Sequence, residues 1–192
     1  HSAEYIHSLV EAERLAFADR NYFLGDPDFV EVPVDRLLSD AYLEQRRRLI
    51  PAWHAGKSEG VSHGNPESPE TTHFCVVDRD RNVVAITYTL NGAYGMGGVV
   101  EGAGFLLNNE MDDFSAKPGS SNLFGLIQYE ANAIAPGKRM LSSMTPLIAL
   151  RNGQFAFTVG TPGGPTIITT NLQIFLNMVE MGMNIREAID AR

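Results

Sequence analysis

The alternation of hydrophobic and polar positions changes rhythm three times along this chain. In residues 1–19 the apolar side chains Tyr5, Ile6, Leu9, Val10, Ala16 and Phe17 recur at a spacing that suits one face of an amphipathic helix. Residues 20–33 (RNYFLGDPDFVEVP) carry Gly25, Pro27 and Pro33 and read as a loop. A second helix is predicted over residues 34–49, with Leu37, Leu38, Tyr42 and Leu49 on its apolar side. The pattern then dissolves. PAWHAGKSEGVSHGNPESPE, residues 51–70, has three prolines, three glycines and almost no periodicity. It reads as a long exposed loop, the kind of segment that is functional or disordered and where chains are cut.

Beyond it the chain is strand-rich. Residues 72–78 and 83–90 are β-branched runs around DRDRN, a hairpin signal. FLLNN, residues 105–109, reads as a shorter strand. Residues 145–150 and 154–159 flank Asn152-Gly153, the strongest short hairpin signal in the chain. In GTPGGPTIITTNLQIFLNMVEMG the glycines break the strand, Pro165 suits a first helical turn, and the helix runs to about Gly182. Asn184 with Glu187 three residues on opens a last helix. Helices, then strands, then helices predict an α+β fold of antiparallel sheet with helices packed on it.

Composition narrows the function. With 44% hydrophobic and 20% charged residues the chain is globular rather than disordered. A net charge of -8 and the lack of a basic stripe argue against nucleic acid as a partner. The run Arg46-Arg47-Arg48 reads as a solvated helix face. Cys75 is the only cysteine, which excludes an intrachain disulfide, and its apolar run FCVV predicts a small core residue. No apolar run approaches the roughly 18 residues of a bilayer span. His54, His63 and His73 lack metal-ligand spacing and are read as non-catalytic. The chain opens on His1, without an initiator methionine and inside a helical pattern. It is therefore expected to be a piece of something longer, and it carries no localisation signal.

The candidate chemistry lies at the hairpin. With the turn centred on Asp80, Thr71 faces Thr89; a two-residue slip would bring Thr87 or Asn91 opposite instead. All these residues share one face, because side chains alternate with period two. Threonine also simply suits strands. A threonine hydroxyl is a weak nucleophile, but the chain's own α-amino group can activate it when threonine is residue one. That amine has a reference pKa of about 7.7–8.0, close enough to neutrality to serve as a base. An internal Thr71 gains it only if the Glu70–Thr71 bond is broken, and the loop 51–70 leaves that bond accessible. Farther on, Gly163 and Gly164 join a strand to a helix. Backbone N–H groups there carry partial positive charge, so the pair suits an oxyanion hole or is a plain loop. EMDDF alone reads as a solvated acidic turn, and SSMTP as ordinary turn chemistry.

TTHFCVVDRDRNVVAITYTLN, LLNNEMDDFSAKPG, KRMLSSMTP and GTPGGPTIITT, in this order and spacing, resemble the γ-glutamyltransferase (γ-glutamyl transpeptidase) family of N-terminal nucleophile hydrolases. Weaker similarity covers residues 1–50. The resemblance implies an αββα sandwich of stacked antiparallel sheets flanked by helices, here incomplete. Residues 1–70 would be the C-terminal part of a large-subunit region, and 71–192 a small catalytic region truncated at its end. It implies a precursor in which Thr71 attacks the Glu70 carbonyl and cleaves the chain. The freed Thr71 would then attack the γ-glutamyl amide of a glutathione-like substrate and pass the acyl group to water or an amine. Thr89 would orient the Thr71 hydroxyl. Asn91, Glu110 and Asp113 would hold the substrate's α-amino group, Ser142 and Ser143 its α-carboxylate, and Gly163 and Gly164 the oxyanion. No cofactor or metal is implied. The remaining large-subunit segment would be a partner, and a periplasmic or secreted site is the expectation for a bacterial-type member.

The sequence also departs from the family pattern. No residue matches the upstream arginine that grips the substrate carboxylate. Phe124 stands where many relatives have a gating tyrosine. Pro165 and Thr166 replace a serine and an arginine. Two alternatives stay open: a cephalosporin or glutaryl acylase-like amidase of the same superfamily, and an inactive unprocessed fragment. A glutaryl substrate has no α-amino group, so Glu110 and Asp113 favour the γ-glutamyl reading.

Overall fold

A computed structural model describes residues 2–57 and 71–191 of the chain. Most of the expected loop, with His63 and Glu70, lies outside the described residues. The chain divides into two compact units, His1–Asn65 with Met111–Leu141 and Pro66–Glu110 with Ser142–Arg192. The units thus interleave along the sequence.

The first unit is built on helix α1, Ala3–Phe23. The Ser2 hydroxyl caps it by accepting from the Tyr5 amide at 3.1 Å. The helix outruns its expected end at residue 19 because no breaker occurs before Gly25, and the Leu24 amide still reaches the Arg20 carbonyl at 3.1 Å. The expected helix over residues 34–49 is two helices, α2 (Val34–Leu37) and α3 (Asp40–Arg47). Ser39 divides them. Its hydroxyl donates to the Arg36 carbonyl at 2.8 Å and accepts from the Tyr42 amide at 3.3 Å, ending one helix and starting the next. Asp19 of α1 then receives the Tyr42 hydroxyl at 2.8 Å and Arg46 Nε at 2.9 Å. The arginine run is therefore solvated only at Arg47 and Arg48; Arg46 is half-buried and ion-paired.

The later part of this unit is mostly loop, with a 3-10 turn at Glu130–Asn132. Polar contacts organise it. Asn132 is fully buried and donates to the Asp113 carbonyl at 2.7 Å and to the Gln128 side chain, while its Oδ1 accepts from the Leu141 amide at 3.0 Å. Arg139 grips buried Asp26, with Nε at 3.0 Å and its amide at 2.8 Å, and also reaches Asp28.

The second unit holds two antiparallel hairpins, each a two-stranded sheet. Strands β1 (Thr72–Val77) and β2 (Val83–Tyr88) pair from Thr72↔Tyr88 to Val77↔Val83. Strands β3 (Leu147–Arg151) and β4 (Gln154–Val159) pair with a register shift between Ala149 and Leu150. Helix α4 (Thr166–Val179) buries Ile167, Asn171 and Ile174, a stripe at i, i+4 and i+7. Helix α5 (Ile185–Asp190) starts with the expected capping box of Asn184 and Glu187. Val159, Ile174 and Ala188 form the core, backed by Leu147, Phe157, Met178 and Met183.

Two expectations fail in this unit. FLLNN forms no strand; Leu106 makes a single bridge to Val99. Glycines at positive φ, among them Gly95, Gly97, Gly102 and Gly104, curl the surrounding backbone away from a regular ladder. Cys75 is exposed rather than buried. An apolar strand is buried only where something covers it, and β1 is open from Phe74 to Val77. Among the described residues no helix is long and apolar enough to cross a membrane.

Candidate active site

The nucleophile candidate sits at the open end of the first hairpin. Thr72↔Tyr88 and His73↔Thr87 fix the register that a turn centred on Asp80 predicts, and the slipped pairings are not adopted. One step beyond Thr72, that register sets Thr71 opposite Thr89. Both are half-buried, on the face shared by His73, Ala85 and Thr87.

Past β2 the chain turns sharply. Asn91 is buried and adopts φ 73°, a left-handed conformation that asparagine tolerates better than most residues. Its amide donates to the Thr89 hydroxyl oxygen at 2.9 Å. That bond occupies a lone pair of Thr89 and leaves its proton to be donated elsewhere. The Asn91 side chain donates to the Asn109 carbonyl at 3.2 Å, and Asn109 Oδ1 accepts from the Gly92 amide at 2.8 Å. Asn91 is thereby tied to the segment that leads into Glu110. Sequence reading missed Asn109; the signal was the doubled asparagine of LLNNE, a residue type that bonds neighbouring backbone where regular ladders stop.

Glu110 and Asp113 bound one 3-10 turn. Glu110 belongs to the second unit and Asp113 to the first. The Asp113 carbonyl is held by Asn132, and the Arg20 guanidinium is close enough to feel the Asp113 charge. Burial lowers the pKa of Arg20 to about 10, which leaves it a cation at neutral pH. Phe124 lies in the same unit, in a loop pinned by the Asn122 side chain, which accepts from the amides of Phe124 and Leu126.

Ser142 and Ser143 are half-buried just before β3, and the Ser142 hydroxyl accepts from the Met144 amide at 3.1 Å. Gly163 and Gly164 lie between β4 and α4 with φ of 136° and 53°. Side chains rarely adopt these values, which accounts for two glycines here. Their carbonyls accept the first amides of α4, Thr166 to Gly163 at 3.1 Å and Ile167 to Gly164 at 3.2 Å. Pro165 stands at the N-cap position. Thr71, Thr89, Asn91, Glu110, Ser142, Ser143, Gly163 and Gly164 all fall within the second unit; Asp113 does not.

The sequence profile of the gamma-glutamyltranspeptidase family matches residues 1–192. The chain belongs to the gamma-glutamyltranspeptidase family. It is 52% identical to the glutathione hydrolase proenzyme of Pseudomonas aeruginosa over 191 residues, which is all of this chain but 34% of that protein. The chain thus spans about a third of the length of the curated relatives it matches. Among solved structures, a Helicobacter pylori gamma-glutamyltranspeptidase mutant is 55% identical, with a TM-score of 0.61 over 62% of this chain and 64% of that one. Cephalosporin acylase from Bacillus halodurans is 28% identical, with a TM-score of 0.76 over 99% of this chain and 32% of that one. The fold is therefore the α+β fold of the N-terminal nucleophile hydrolases, present here in part.

Proposed function

We propose that this protein is a self-processing γ-glutamyl transferase or hydrolase whose nucleophile is Thr71. The observation that carries the reading is the β1–β2 register, whose last pair, Thr72↔Tyr88, is followed at the mouth of the hairpin by Thr71 on one strand and Thr89 on the other. Family membership supports it, as does the word proenzyme in the name of the Pseudomonas aeruginosa relative.

In the first reaction the Thr71 hydroxyl adds to the Glu70 carbonyl and the peptide C–N bond breaks. The Glu70 acyl group moves to oxygen and Thr71 gains a free amine. Water then hydrolyses the ester and releases the Glu70 carboxylate. In the second reaction the Thr71 amine takes the hydroxyl proton as the oxygen adds to the γ-carbonyl of a glutathione-like substrate. Thr89 receives the Asn91 amide on its oxygen, and in this reading it donates its own proton to the Thr71 hydroxyl oxygen. The amides of Gly163 and Gly164 stabilise the oxyanion; one such donor is worth roughly 10²–10³ in rate. Collapse breaks the C–N bond and the ammonium returns its proton to the leaving amine. The γ-glutamyl ester passes to water or to an acceptor amine. Asn91, Glu110 and Asp113 bind the substrate ammonium, and Ser142 and Ser143 its carboxylate. After cleavage, residues 1–70 and the rest of the large subunit remain the partner of the chain that starts at Thr71.

The test is an intact-mass spectrum after incubation at neutral pH, beside a Thr71→Ala control. Fragments ending at Glu70 and starting at Thr71, absent from the control and accompanied by hydrolysis of a γ-glutamyl anilide, are expected. Anilide hydrolysis by the Thr71→Ala protein would overturn the assignment.

A further inference from the structure

His73 has no part in the chemistry above, yet both of its ring nitrogens are engaged. It lies two rungs along the hairpin from Thr71, and so on the same face. Its Nδ1 is 2.7 Å from the Thr87 hydroxyl and its Nε2 is 3.0 Å from Cys75 Sγ. Cys75 Sγ is 3.3 Å from the Thr158 hydroxyl of β4, which in turn donates to the Leu147 carbonyl of β3 at 2.8 Å.

The direction of this chain follows from its end. A carbonyl can only accept, so the single Thr158 proton goes to Leu147. The Cys75 thiol must then donate to Thr158, and the Cys75 sulfur accepts from His73 Nε2–H. A neutral imidazole with Nε2 protonated has a bare Nδ1, which accepts from Thr87. Burial lowers the His73 pKa, consistent with a neutral ring. Four strands are thereby linked through one histidine in one tautomer.

The ring also presses on the segment that leads to the oxyanion glycines. A Cβ built on Gly160 would lie 2.1 Å from His73 Cε1, 2.2 Å from Nδ1 and 2.5 Å from Nε2. No real contact is that short, so position 160 must be glycine as long as the imidazole stays in place. Gly160 is not among the glycines at positive φ, so its backbone alone does not demand glycine. It follows β4 directly and stands three residues before Gly163.

We propose that His73 is a positioning residue: flush against Gly160 and hydrogen-bonded to Thr87, it sets the separation between the Thr71 rung and the Gly163–Gly164 loop. Nucleophile and oxyanion donors must meet one carbonyl within about 3 Å, and a misplacement of about 1 Å costs as much as 10²-fold in rate. The inference rests on the functional reading given above.

The experiment is a double-mutant cycle in the protein expressed from its complete reading frame. Gly160→Ala, His73→Ala and the pair are compared with wild type for kcat and KM on a γ-glutamyl anilide. Gly160→Ala should lower kcat by about ten- to a hundredfold with KM moving less than about threefold. In the His73→Ala background, where the ring is gone, the same alanine should cost less than about twofold. His73→Asn, which keeps a polar atom near the Nδ1 position, should recover part of the kcat lost in His73→Ala. Equal costs of Gly160→Ala in both backgrounds, or a wild-type kcat in His73→Ala, would overturn the proposal. If Gly160→Ala does not fold, His73→Ala against His73→Asn decides by the same split of kcat from KM. A wild-type protein inert toward the anilide would instead refute the γ-glutamyl reading. The cycle is then read on self-cleavage before Thr71, where the same coupling is expected.

Discussion

Asn132 offers the sharpest test of how the first unit holds Asp113. It is fully buried, and its one side chain satisfies the Asp113 carbonyl, the Gln128 side chain and the Leu141 amide. Truncation to alanine removes all three contacts and leaves their partners dry. The Asp113 carbonyl keeps a long contact to Gln128 Nε2 at 3.4 Å, so its loss is partial. An unsatisfied buried group costs about 1–3 kcal/mol, so the Leu141 amide and the Gln128 oxygen together imply a loss of roughly 2–6 kcal/mol. The direct assay is native-state hydrogen exchange at the Leu141 amide. Its protection should fall by at least roughly fivefold, the factor that about 1 kcal/mol represents, and the urea midpoint of the unit should fall with it. Asn132→Asp separates the contacts, because it keeps an acceptor for Leu141 while losing both donors. It should restore much of the Leu141 protection without restoring the midpoint. Wild-type protection of Leu141 in Asn132→Ala would refute the hub and, with it, the account of how Asp113 is held.

Other outcomes follow from the same geometry. Asp113→Asn should raise KM for a γ-glutamyl substrate more than for a glutaryl one, because only the former presents an ammonium to a carboxylate; equal effects would count against that role of Asp113. The Asp26–Arg139 contact should make the first unit acid-sensitive. Arg139 holds the Asp26 carboxyl well below its ordinary value, so its stabilisation is complete above about pH 4, the unfolded value, and is lost as pH falls toward the folded one. Asp26→Asn should flatten that part of a stability-versus-pH curve, and an unchanged acid limb would exclude the contact as its cause. Ser39→Ala should cost about 1 kcal/mol in denaturant unfolding, since the hydroxyl serves the end of α2 and the start of α3.

Local rules alone determined much of this protein. Period-two alternation put Thr71, Thr87, Thr89 and Asn91 on one face, and a turn centred on Asp80 named the register, but a two-residue slip keeps the same faces, so only the folded hairpin chose between them. The capping box at Asn184, the turn at Asn152-Gly153 and the glycine pair before α4 were legible because each is satisfied by residues within a few positions of itself. Tertiary structure decided the rest. Ser39 split a helix that periodicity joined, because Tyr42 and Arg46 are drawn to Asp19, more than twenty residues away in sequence. Cys75 looked like core in its apolar run, but whether a strand is covered depends on what packs over it. Asn132 and His73 carried no signal at all in sequence. Their weight comes from partners brought together across the fold, such as Leu141 for one and Gly160 for the other, and only the folded chain determines which distant groups share the same few ångströms.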